Sequence, residues 1–110
     1  MKRYQILKEL IIIHQVGKNK NMKTFKDLEF IEMKDQFYNG VQCRVEFDNG
    51  YGASIVRHNY SYGGREGLYE LAVLNQDGEI HYNNPVANGD VRGYLTPEEV
   101  TELLKQIQEL

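Results

Sequence analysis

The stretch VQCRVEFDNGYGASIVR, Val41 to Arg57, admits few folds. Val41, Cys43, Val45 and Phe47 alternate with Gln42, Arg44 and Glu46, the period of two expected of a strand with one buried face. Asn49-Gly50 marks the turn. A two-residue loop would set Phe47 opposite Gly52 and Glu46 opposite Ala53, throwing the apolar residues of the second strand onto the charged face. A three-residue loop, Asp48-Asn49-Gly50, sets Phe47 opposite Tyr51, Val45 opposite Ala53 and Cys43 opposite Ile55, so all six share one face. A slip of one residue turns every side chain over, so burial selects the second register. It requires Gly50 in the left-handed conformation of a G1 bulge.

The same reasoning applies to LYELAVLNQDGEIHY. A Gln76-Asp77-Gly78 loop pairs Leu74 with Ile80 and Ala72 with Tyr82. Tyr69, Leu71 and Val73 occupy the opposite face, and a strand apolar on both faces is usually central. The last segment, LTPEEVTELLKQIQEL, predicts a helix. Thr96 is its N-cap, Pro97 its first residue, and Glu99 closes a capping box. Leu95 and Val100 occupy the hydrophobic-staple positions. Val100, Leu103, Leu104 and Ile107 form the apolar stripe that lies on the sheet. The expected fold is α+β: an antiparallel meander of four or five strands with a C-terminal helix packed on one face. Its expected core is Val41, Cys43, Val45, Phe47, Ala53, Ile55, Leu71, Val73, Val100, Leu103, Leu104 and Ile107.

Charge divides the chain of 110 residues. Up to Lys26 there are seven Lys/Arg and one acid, Glu9, or +6; beyond it six Lys/Arg meet fifteen Asp/Glu, or −9. VGKNKNMKTF is polar, basic and aperiodic. It separates residues 1–21, a basic extension, from a single domain over 22–110. Within the extension Ile6, Leu7, Leu10, Ile11 and Val16 fit one helical face, while Ile11–Ile13 suit a strand equally. Met22 offers an alternative start, and residues 1–21 are expected to be dispensable for folding. The apolar run Leu10–Ile13 is far too short to span a bilayer. The acidic body lacks the clustered Lys/Arg of a duplex-binding face. A single cysteine excludes an internal disulfide and fits a reducing, cytoplasmic setting.

The residues of most chemistries are absent or scattered. His14, His58 and His81 stand apart with no cysteine pair, so no metal site and no cofactor is expected. Cys43 falls on the buried face, where a thiol is usually inert. No nucleophile elbow and no phosphate-binding P-loop is present. The expectation is a protein without catalytic residues.

One segment suggests binding. Between the strand ending near Arg57 and the one starting after Gly67 lies HNYSYGGRE, longer than a tight hairpin needs. Tyr60 and Tyr62 offer large contact area at low entropic cost. Gly63-Gly64 allows positive φ and close approach, and Arg65 adds a guanidinium. With Arg57 they form the candidate site, in the palette of binding loops. The alternative is a flexible connection whose tyrosines fold back on the sheet edge.

VEFDNGYGASIVR, SYGGREGLYELAVL and GYLTPEEVTELLKQIQ resemble a family of small bacteriophage-encoded proteins to which no activity is assigned. The resemblance spans roughly Phe25 to Leu110. It implies a phage accessory protein made in the cytoplasm of the host bacterium. Three functions are open. The first is a non-catalytic binder that modulates or inhibits a bacterial host protein, including in counter-defence. The second is a small-molecule or nucleotide-sequestering protein, with Arg57, Tyr60, Tyr62, the glycine backbone and Arg65 holding a phosphate and stacking a base. The third is an enzyme whose site has no recognisable motif.

Overall fold

The computed structural model describes residues 22–36, 38–87 and 89–110. The expectations for residues 1–21, their helical or extended character and their dispensability, lie outside the described residues. Five strands form one antiparallel sheet in sequence order: β1 (Ile31–Lys34), β2 (Asn39–Glu46), β3 (Gly52–His58), β4 (Tyr69–Leu74) and β5 (Arg92–Leu95). One helix, α1 (Pro97–Gln108), follows. The architecture is α+β.

The register of the β2–β3 hairpin is the one that burial selects. Val45 pairs with Ala53 and Cys43 with Ile55, and the Phe47 amide donates to the Tyr51 carbonyl at 2.8 Å. Gly50 has φ +92°, where a side chain would be strained and a Cβ would meet Gln76. β4 extends these rows, with Ile55 opposite Leu71 and Ala53 opposite Val73. One face therefore carries Cys43, Ile55 and Leu71 in one row and Val45, Ala53 and Val73 in the next. Val100, Leu103, Leu104 and Ile107 of α1 are buried in the same core cluster.

The helix is capped as its sequence requires. Thr96 Oγ1 accepts from the Glu99 amide at 3.1 Å, and Glu99 Oε1 accepts from the Thr96 amide at 2.9 Å. Its C-terminal turn is held from another element. Asn49 Nδ2, in the β2–β3 turn, donates to the Ile107 carbonyl at 2.8 Å. The segment before β1 closes the other flank. The Phe25 amide donates to Thr101 Oγ1, and Lys23 exchanges two hydrogen bonds with the Gln108 side chain, each at 2.9 Å.

The second hairpin departs from expectation. Leu74 does bridge Ile80, and the His81 amide donates to the Val73 carbonyl at 2.8 Å. The strand then stops, and Tyr82 does not pair with Ala72. The cause is Asn84-Pro85. Asn84 Oδ1 accepts from the amides of Val86 and Ala87 at 2.9 and 2.7 Å, an Asx turn that redirects the chain into the core. β5 pairs with β4 instead, Tyr69 opposite Leu95 and Leu71 opposite Arg92. Val41 and Val45 of the expected core are only partly buried, while Tyr69, Ala72, Leu74, Val86, Ala87 and Leu95 are buried in addition.

Candidate functional site

The antiparallel order brings the start of β2, the end of β3, the start of β4 and the end of β5 to one end of the sheet. Tyr38 precedes β2, Tyr60 and Tyr62 follow β3, and Tyr94 lies in β5. All four rings are exposed there, at 45, 62, 59 and 56% of full accessibility. Tyrosines of this exposure are not holding the core together. The sequence reading identified Tyr60 and Tyr62 and missed Tyr38 and Tyr94, which only strand pairing brings alongside.

The rings stand on a fixed backbone. The connection runs from Asn59 to Leu68. Its Ser61 amide donates to the His58 carbonyl, Gly64 to Ser61, Gly67 to Gly64, and Glu66 and Leu68 both to Gly63. The Tyr60 amide donates to His58 Nδ1 at 3.1 Å, and the Tyr62 amide to Glu70 Oε1 at 2.8 Å. Buried Ser61 ties the base of the loop through Oγ, which accepts from the His58 amide and donates to the His58 carbonyl, both at 2.9 Å. The flexible connection of the alternative reading is thus replaced by a tightly bonded one. Gly64 is required because a Cβ there would collide with the His58 carbonyl. Gly63 has φ +90°.

Two groupings result. Tyr38 stacks edge-on against His58 at 5.1 Å and against Tyr60 at 5.7 Å between centroids. Tyr62 sits beside β5, its carbonyl accepting from the Tyr94 amide at 3.0 Å and its Cβ filling the space left by Gly93. From Arg92 to Leu95 β5 advances three residues while β4, from Leu71 to Tyr69, advances two, so β5 holds a bulge at Gly93-Tyr94. Tyr94 has φ +58°, the left-handed region, and no other described non-glycine residue does. Such a conformation costs about 1–3 kcal/mol and persists only where its surroundings impose it. Bulges of this kind re-aim a side chain, here an exposed tyrosine.

Arg57 and Arg65 do not join these rings as the nucleotide reading requires. Arg57 alternates with His58 and so faces the helix side, with its Cζ 5.1 Å from the Tyr69 ring centroid and Nη1 donating to the Tyr69 hydroxyl at 3.1 Å. Tyr69 in turn packs on Phe25 and Phe30, at 5.1 and 5.6 Å. Arg57 is therefore a lid on an aromatic wedge. Arg65 Nε donates to the Asn59 carbonyl at 3.1 Å, leaving the rest of its guanidinium at the exposed loop. The amides of Gly64, Glu66, Gly67 and Leu68 are spent within the loop, so that run makes no anion cradle.

Elsewhere the chemistry is sparse. Among the described residues no group of three or more His, Cys, Asp or Glu could hold a metal ion, and no helix is long and apolar enough to cross a membrane. Cys43 is buried, and burial pushes its thiol up from the ordinary value, away from the reactive thiolate. The chain matches no model of a protein family, no curated protein and no solved structure.

Proposed function

We propose that this protein is a non-catalytic binding module, of the small phage accessory type, that docks on a bacterial host protein through its tyrosine-bearing end. The observation that carries the reading is the placement of Tyr38, Tyr60, Tyr62 and Tyr94, all exposed, on a hydrogen-bonded and locally strained backbone. Tyrosine and arginine are the side chains that most often anchor interfaces, and a rigid presenting loop reduces the ordering cost of association. Inhibition or modulation of the host partner, including in counter-defence, follows from occupation of the partner's surface and needs no chemistry on this chain.

The test is affinity capture from bacterial lysate with two variants beside the wild type. Replacing Tyr60, Tyr62 and Arg65 together with alanine should leave stability within about 1 kcal/mol, as surface changes usually do. It should also release the captured host protein. Tyr82→Ala removes an equally exposed ring away from this end and should retain it. Capture unchanged in the triple variant would refute the docking site, and unfolding of that variant would make the tyrosines structural.

A further inference from the structure

The outer edge of β1 has no strand beside it among the described residues, and Ile31 on it is 71% exposed. The direction of its backbone groups follows from the pairing on the other side. The Asp35 amide donates to the Tyr38 carbonyl, and this pair continues the β1–β2 register. In an antiparallel ladder bonded and non-bonded pairs alternate, so Met33 and Ile31 bond toward β2. Glu32 and Lys34 therefore present their N–H and C=O groups to the free edge.

A second copy of the same edge can pair with it antiparallel only where outward groups meet outward groups. Three registers satisfy this over the strand. One sets Glu32 opposite Glu32 of the second copy, and another sets Lys34 opposite Lys34; both place like charges directly across the two-fold axis, which is destabilising. The third is centred on Met33 and sets each Glu32 opposite the other copy's Lys34. Within one chain these two side chains already lie on the same face, 3.3 Å apart and largely exposed, so both are available for the exchange. A lysine on an edge strand normally discourages pairing. Here it selects the one register in which a glutamate meets it.

We propose that β1 pairs with β1 of a second copy about a two-fold axis at Met33, joining two five-stranded sheets into one. Two bonded pairs, Glu32 with Lys34 and its symmetry mate, supply four backbone hydrogen bonds. Ile31 and Met33 of both copies then line the face of the joined sheet opposite the helices. Tyr38 lies in the turn that follows β1, but the pairing rests on Glu32 and Lys34, which the triple loop variant leaves in place, so the two proposals fail independently.

Sedimentation of the full chain over a concentration series reaching about 1 mM, the weak limit of specific association, should show a reversible dimer. Glu32→Lys and Lys34→Glu, each alone, should weaken it by at least about ten-fold, because two cross-strand pairs change from opposite to like charge. The double exchange should restore it. Met33→Cys should form a linked dimer on mild oxidation faster than Glu98→Cys on the helix. At a non-bonded antiparallel pair the Cα atoms are about 4.5 Å apart, within the range of a disulfide. The triple loop variant should dimerise like the wild type. A monomer throughout, a dimer indifferent to the single charge changes, or no preference for Met33→Cys would each overturn the proposal.

Discussion

Asp27 shows how a single exposed side chain can carry a signature in pH. Its carboxylate accepts from the Thr24 amide at 2.8 Å and from the Thr24 hydroxyl at 3.1 Å. The Thr24 backbone bond, then the hydroxyl, with smaller help from Lys26 and Lys23, holds it below its ordinary value of 3.8. A carboxyl depressed in the folded state contributes stability above its unfolded value and loses it as pH falls through the folded one. Asp27→Asn should therefore lower the melting temperature at neutral pH, and the gap should close below about 3.8. No gap at neutral pH, or a gap that persists undiminished well below that pH, would show that the bonds contribute nothing that titrates. Residue roles were unevenly legible. Tyr60 and Tyr62 stood out by local composition. Tyr38 and Tyr94 did not, because their exposure arises from a strand end and a bulge. Arg57, at the end of its strand, read as a partner of the loop tyrosines, yet the strict alternation of β3 commits it to the face of Tyr69.

At the level of elements, the helix was legible because its signals are local. Thr96, Pro97, Glu99 and the staple lie within six consecutive residues and all specify one start. Thr96→Ala should cost about 1 kcal/mol, measured as a shift of the unfolding midpoint, since it orphans the Glu99 amide. A shift near zero would mean that packing alone fixes the helix start. The β2–β3 hairpin was legible for the same reason, a turn and an alternation that agree. The return arm after Gly78 was not. Its alternation favours a strand, and the first pair, Leu74 with Ile80, forms. What ends it is the gain from burying Val86 and Ala87 through the Asn84 turn, a tertiary effect that no period in the sequence records.

Across the whole molecule the core joins elements far apart in the chain. Leu104 is fully buried beneath the sheet, and Leu104→Ala should cost about 2–5 kcal/mol in denaturant unfolding, the range for a buried leucine. An unchanged midpoint would contradict the packing. The aliphatic part of this core was readable from strand and helix periods. The wedge of Phe25, Phe30 and Tyr69 was not, since its first two members precede any recognisable strand. The seam between Lys23 and Gln108 joins residues 85 apart in sequence. It also has a consequence in time. Contacts at such separation carry a larger loop-closure cost than those within a hairpin, and folding slows as they come to dominate. The meander can zip from one turn to the next, and the capped helix can flicker into place early. Neither is anchored until Asn49 and Lys23 reach the last turn of α1. The element most plainly written in the sequence is thus among the first to form and the last to be secured.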